Sequence, residues 1–333
     1  MSARSRALST RALWPRWVAL WDEQEPPTLL ASIRIAVGLV VLVDLVTIAT
    51  TSAQTWLWAP LGAGGISAWD PAEVPLFYRI LPQSAVSAQL LWLGLCASIL
   101  CVGVGFCTRA AALLHVWLSV QAALINGPAD RAIDRALRIV LLILVLSPAG
   151  SVWSVDAKLA TGSFRGDRGP APAWARYLIL GQLVLIYCGA GLAKGGTHWY
   201  PWGGYRALYL TLQDPIVAAG DFHWLAWPLP YRLTQLATAL THLWELSAPL
   251  VLMAAYYRRT SERSGWLRRW FNRLPVRNVY VLTGVLFHLG LALTLRLGIF
   301  PFAMLACFPA FFRPEELARE AQRLRAFGRS LRG

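Results

Sequence analysis

Residues 190–199 read AGLAKGGTHW, and Lys194 is one of only two lysines among 31 basic residues, the other being Lys158. Arginine keeps its proton in a protein, whereas a partly buried lysine can release it and serve as a base. The chemistry available at Lys194 is therefore proton abstraction, with Gly189, Gly191, Gly195 and Gly196 letting a helix or flat ligand approach the backbone closely. Other ionisable residues sit in apolar surroundings: Arg34 and Asp44, Asp134 and Arg138, His242 and Glu245, and His288. Such groups are costly in lipid and are paired or functional there. Each also has a structural reading. Lys194 at a helix end can be a snorkelling anchor. Asp134 and Arg138, spaced i and i+4, can pair on one helix face. Arg34 can touch headgroups, and His288 can be a buried histidine bonded to a neighbouring helix. His198 and His242 read as interfacial and Lys158 as an ordinary loop charge. A mid-membrane carboxylate such as Glu245 needs a partner or a proton.

The elements that carry these residues are long apolar runs. Of 333 residues 56% are hydrophobic and 14% charged, with mean hydropathy +0.48, against roughly 25% charged in soluble domains. Seventeen tryptophans suit membrane interfaces. The reading is an all-α integral membrane protein, a bundle of about eight transmembrane helices with no separate soluble domain. The predicted spans are 28–50, 87–106, 109–126, 133–150, 173–194, 232–256, 279–296 and 298–312. The last two form a tight hairpin about Arg296, Leu297 and Gly298. The first run starts too late and runs too long for a cleaved signal peptide.

The net charge of +14 is carried by arginines clustered between apolar runs, a pattern of cytoplasmic loops and not of a nucleic-acid surface. Segment 257–278 alone holds Arg258, Arg259, Arg263, Arg268, Arg269, Arg273 and Arg277. The positive-inside rule places both termini in the cytoplasm. The expected organisation is a basic N-terminal segment 1–27, a membrane domain 28–312 and a basic amphipathic tail 313–333. Loop 195–231 is long and aromatic, and a short helix is expected there at the outer interface. On this topology Asp44, Asp134 and Lys194 share the outer half, with Glu245 and His288 deeper, which suits a polar pocket opening outward. The five cysteines form no Cys-x-x-Cys pair and read as small apolar side chains, with no metal site.

The segment YCGAGLAKGGTHW (187–199) resembles the stretch around the active-site lysine of vitamin K-dependent gamma-glutamyl carboxylase. WSVDAKL (153–159) is similar to that family's Trp-Ser-x-Asp signature. Arg34 and Asp44, ELSAP at 245–249, and FHLGLALTLRLGIFPFAML at 287–305 extend the likeness. The broader family is the HTTM, or horizontally transferred transmembrane, domain. The resemblance implies that Lys194 deprotonates a quinol such as reduced vitamin K or menaquinone. Oxygen then epoxidises the quinol, and carbon dioxide adds to a peptide glutamate. It implies oxidoreductase and lyase chemistry; with the topology above, Glu245 and His288 are expected to line the deeper pocket, Asp44 and Asp134 to tune the charge around Lys194, and Trp199 to lie beside the ligand. Arg34, Arg138, Trp153, Asp156 and Gly191 fall to structural roles. The implied location is a bacterial inner membrane, and the implied partners are membrane lipid and a secreted peptide.

Two departures bear on this. Ile133 and Asp134 stand where the carboxylase has a functional histidine, and the large lumenal domain that binds tagged substrate is not expected here. Quinol chemistry without that substrate is therefore one reading. A non-enzymatic transporter or maturation partner for a secreted peptide is the second, and a scaffold with all charges structurally paired is the third.

Overall fold

The apolar run opening at Thr28 forms α1 (Thr28–Thr50). In the computed structural model, residues 21–166 and 169–316 are described, with residues 14, 15, 18, 19, 319, 322 and 323. The arginines expected in the N-terminal segment (Arg4, Arg6, Arg11, Arg16) and most of the tail 313–333 lie outside the described residues. The helices that follow are α2 (Ala53–Trp58), α3 (Leu76–Ile80), α4 (Ala85–Val104), α5 (Thr108–Ile125), α6 (Ala132–Leu146), α7 (Val155–Thr161) and α8 (Trp174–Ala193). Then come α9 (Ala207–Gln213), α10 (Pro228–Leu246), α11 (Ala248–Arg259), α12 (Trp266–Arg273), α13 (Val276–Thr294) and α14 (Phe300–Cys307). Two short antiparallel strands, Gln24–Glu25 and Ala171–Pro172, are the only sheet among the described residues.

Among the described residues five helices are long and apolar enough to cross a membrane: α1, α4, α5, α8 and α13. The bent pair α10–α11 would make a sixth. These meet six of the expected spans within a few residues. The other two are shorter than their runs of apolar sequence. α6 has 15 residues and stops at Ser147, because the following Pro148 forces the preceding residue out of helical geometry. α14 passes into a short 3-10 turn at Phe308–Phe311, which contains Pro309. Both fall below the roughly 20 residues that a perpendicular span needs.

The chain divides into two compact units, residues 1–179 with 312–333 and residues 180–311. The boundary falls inside α8. In the first unit α1 packs on α4, α4 on α5 and α5 on α6. The α1–α4 crossing is close: a Cβ on Gly38 would sit 2.7 Å from the Gly103 Cα. Small residues at such crossings let two backbones touch in lipid, where packing has to replace the hydrophobic drive.

Arg34 anchors the same unit. It is 0% exposed, and its guanidinium donates to the carbonyls of Ala149 (3.1 Å), Val102 (2.7 Å), Gly103 (2.7 Å) and Trp153 (2.6 Å). Val102 and Gly103 belong to the last turn of α4, whose carbonyls have no helical partners, so a cation there satisfies both the bonds and the dipole. Gly105, at φ +72°, closes that helix, and a Cβ on it would lie 2.5 Å from the Arg34 guanidinium.

The Trp-Ser-x-Asp stretch completes this knot. Ser154 caps α7 by accepting from the Ala157 N–H at 2.8 Å. Asp156 caps α5 from across the fold, accepting from the N–H groups of Cys107 (2.7 Å) and Thr108 (2.8 Å) and from the Thr108 hydroxyl (2.7 Å). Burial pushes the Asp156 carboxyl up, but these bonds and the charge of Arg34 outweigh it and hold it below the ordinary range. Arg176 and Glu25 form a buried ion pair at 2.7 Å beside the two strands.

In the second unit α10 and α11 are bent by 48°. The sequence ELSAP explains the break. Pro249 has no N–H to give the carbonyl of Glu245 four residues back, and its ring clashes there. α10 is polar on its inner face, with Thr234, Thr238, His242 and Glu245 buried, while Leu229, Leu233, Leu236, Leu240 and Leu243 are exposed. That inside-out pattern suits a lipid solvent. Loop 195–227 contains the expected short helix as α9 and is tied to the α13–α14 turn by Arg296 N–H to Val217 O (2.8 Å) and Ala219 N–H to Thr294 O (2.8 Å).

Candidate functional site: a buried lysine–glutamate pair

Lys194 follows the last residue of α8, where a cation meets the negative end of the helix dipole. Its ammonium bonds the carboxylate of Glu245 at the α10 break, and also reaches Ala190 O at 3.4 Å. Its side chain is 16% exposed and that of Glu245 is 6% exposed. The nitrogen therefore points inward to an acid and not into open space. The indole of Trp199 covers it at 4.7 Å, an additional cation–π contact. His242, one turn before Glu245 on α10, packs edge-on to Tyr200 at 5.2 Å and to Trp199 at 6.3 Å. It also lies within electrostatic reach of Glu245.

Gly191 makes this approach possible. A Cβ there would meet Leu246 at 3.0 Å and the Cβ of Glu245 at 3.2 Å. The other glycines behave differently: a Cβ on Gly189, Gly195 or Gly196 would meet nothing within 4 Å among the described residues. One glycine thus sets the helix contact, and three leave backbone open beside the lysine.

Behind the pair lies an aromatic box. His288 is 0% exposed, and its Nε2 shares a 2.7 Å hydrogen bond with the Tyr187 hydroxyl. Tyr187 stands seven residues before Lys194 on α8, two helical turns along one face. Trp244 stacks on Tyr280 at 5.1 Å and donates its indole N–H to the Tyr280 carbonyl at 3.0 Å. Phe287, Phe300 and Phe308 surround His288 at 5.1, 5.7 and 5.8 Å. Gly284 admits this packing, since a Cβ on it would lie 2.8 Å from the Trp244 ring. Two buried polar atoms, the His288 Nδ1 and the Tyr280 hydroxyl, have no hydrogen-bond partner among the described residues. Glu245 is near enough to act electrostatically on both Tyr187 and Tyr280.

The second unit thus brings Lys194, Glu245, Trp199, Gly191 and His288 into one neighbourhood. Tyr187, Tyr200, Trp244 and Tyr280 belong to it too, and were missed in the sequence because aromatics are so common in this chain. The seven-residue spacing from Tyr187 to Lys194 is the one signal that marks a member of the set.

The remaining expected residues lie in the first unit. Asp44 and Asp134 are both held by Arg131, at 2.5 and 2.9 Å. The expected Asp134–Arg138 pair is not formed. Asp134 instead closes a capping box with Arg131 at the start of α6, and Arg138 bonds Asp130 at 2.8 Å. An acid in the first helical turn is drawn back to the free N–H groups and the dipole there, which takes it from the residue four positions on. Burial raises Asp130, but the hydrogen bonds from Arg138 and Arg135 prevail and hold it below the ordinary carboxylate range. Lys158 lies 4.7 Å over the Phe164 ring; His198, in the second unit, is exposed. Among the described residues no group of His, Cys, Asp and Glu has the arrangement of a metal site.

Residues 23–219, more than half of the chain, match the HTTM domain. The chain belongs to the HTTM domain family. No solved structure matches it. The match includes Lys194 and Trp199 and ends before the α10 break, so Glu245 and His288 lie in the part of this HTTM protein beyond it. Family membership and the apolar helices together make the chain a multi-pass membrane protein.

Proposed function

We propose that this HTTM protein binds a quinol-like, lipid-soluble ligand beside Lys194 and Glu245, with Lys194 as the base, as in the vitamin K-dependent carboxylase it resembles. The observation that carries this is the Lys194–Glu245 pair itself, a half-buried amine on a buried carboxylate under Trp199 at the end of α8. A buried ion pair is a poor stability device, because desolvation consumes most of its Coulomb energy. A pair whose proton can move between amine and carboxylate is net neutral in both forms, so low dielectric tolerates either. In the form with a neutral amine, Lys194 Nζ accepts the proton of a ligand hydroxyl. The O–H bond breaks, an N–H bond forms, and the ammonium then faces the new oxyanion.

The donor set fits a quinol ring. Trp199, Tyr200 and His242 give flat walls, and the open backbone at Gly189, Gly195 and Gly196 gives an approach. Bound there, a menaquinol-type ring would supply the reducing equivalents for chemistry with oxygen. His288 lines the deeper side through Tyr187. The wider reading keeps about eight spans, both termini in the cytoplasm and a bacterial inner membrane. It rests on the arginine distribution and on α1, α4, α5, α8, α10–α11 and α13, with the shorter α6 and α14 standing at the other two expected places.

The test is to give purified protein in lipid nanodiscs reduced menaquinone and oxygen, and to follow the 2,3-epoxide by mass spectrometry. Epoxide formed by wild type and lost in Lys194→Arg supports the reading, because arginine keeps the charge and not the base. No epoxide, with no quinol retained by the protein, overturns it. A second reading is favoured by the break between α10 and α11. Broken helices with a buried polar face line peptide or proton paths in transporters, and Thr234, Thr238, His242 and Glu245 form such a face. Proton flux into proteoliposomes, absent in Glu245→Gln, would favour that function.

A further inference from the structure

We propose that the arginine-rich turn between α11 and α13 holds the headgroup of an anionic phospholipid, with α12 lying along the membrane surface as its platform. Residues 257–277 contain seven arginines and one acid, Glu262. Excess charge alone is common in membrane loops; the structure adds placement. Six residues join α11 to α12, a reach of at most about 20 Å, and only Leu274 and Pro275 join α12 to α13. α12 is therefore kept at the mouth of two apolar helices. Phe271 is buried against Tyr257 with ring centres 5.3 Å apart, and Asn272 donates to Tyr257 O at 3.2 Å, which fixes the rotation of α12.

That rotation leaves Trp266 and Trp270, spaced i and i+4, 72% and 51% exposed on one face. Arg269 and Arg273, also spaced i and i+4, are exposed on the adjoining face. Tryptophan beside arginine on a short helix is the composition of an interfacial helix, indoles at acyl-headgroup depth and guanidinium groups at phosphate depth. Among the described residues Arg263, Arg269 and Arg273 make no ion pair with a carboxylate. Arg268 stacks at 5.4 Å over the Tyr257 ring, donates to Ser264 O at 3.2 Å, and its buried Nε finds no acceptor. A planar guanidinium fixed by stacking, with three uncompensated neighbours, is matched by a phosphate diester carrying net negative charge. A zwitterionic headgroup offers the phosphate but cancels the charge.

The full chain in nanodiscs of phosphatidylcholine with spin-labelled phosphatidylglycerol, compared with spin-labelled phosphatidylcholine, reads this directly as the motionally restricted lipid fraction. Wild type is expected to prefer the anionic label several-fold. The preference should fall as salt rises from about 0.1 to about 1 M, since the screening length drops from about 10 to about 3 Å. Arg263→Gln/Arg269→Gln/Arg273→Gln should bring the ratio close to one, a several-fold loss, and Trp266→Ala/Trp270→Ala should weaken retention of both labels. No anionic preference in wild type, a preference insensitive to salt, or an unchanged preference in a folded triple-arginine variant overturns the proposal. Should that variant fail to fold, the salt series on wild type alone decides.

Discussion

Removing one partner of the Lys194–Glu245 pair and removing both are physically different changes. Glu245→Leu strands an ammonium in an apolar surround and should lower stability by about 3 kcal/mol, less than for a fully buried pair because Lys194 keeps 16% exposure. Lys194→Met/Glu245→Leu should recover most of that loss, as measured by the thermal midpoint in detergent. A merely structural pair predicts that the double variant behaves as wild type. A base predicts restored stability with quinol turnover still absent. Asp156 gives a second test at this scale. Its folded-state pKa is depressed, so its stabilising contribution is present above the ordinary carboxylate range and fades as pH falls through the folded value. Asp156→Asn should cost about 1 kcal/mol at neutral pH and flatten the acid limb of a pH–stability curve. An unchanged acid limb would mean that other carboxylates set it.

Helix contacts decide the next scale. Gly191→Ala has to push the Leu246 side chain or the Glu245 Cβ away by a few tenths of an ångström, so it should loosen the α8–α10 contact and cost about 1–3 kcal/mol. Gly189→Ala and Gly195→Ala meet only open space and should leave stability within about 0.5 kcal/mol. If a flat ligand lies over that backbone, both should nevertheless weaken quinol retention. Ligand binding untouched by either methyl group would move the approach route elsewhere. The long helices were legible in the sequence: α1, α4, α5, α8 and α13 lie within a few residues of their apolar runs. What was not legible was where apolar sequence stops being helix. Pro148 cuts α6 short and Pro249 breaks α10 from α11, because one missing N–H and one ring clash act locally against a hydropathy average taken over many residues.

For the whole molecule, the arginine pattern makes a prediction about sidedness. In a variant lacking the five native cysteines, a cysteine at Glu262 should react with an impermeant thiol reagent only from the cytoplasmic face, and one at the exposed Trp202 only from the other. Labelling of both from one side would break the eight-span topology proposed here. Amino-acid composition by itself determined that this chain dissolves in lipid, and apolar run lengths placed its long helices, because hydrophobic transfer is additive along a sequence. Local resemblance marked Lys194. Only the tertiary structure decided which acid each cation finds: Glu245 for Lys194, Arg131 for both Asp44 and Asp134, and Asp130 for Arg138. Ion pairing in a low-dielectric interior depends on distances of a few ångströms, and those are set by how helices cross, kink and cap, not by separation along the chain.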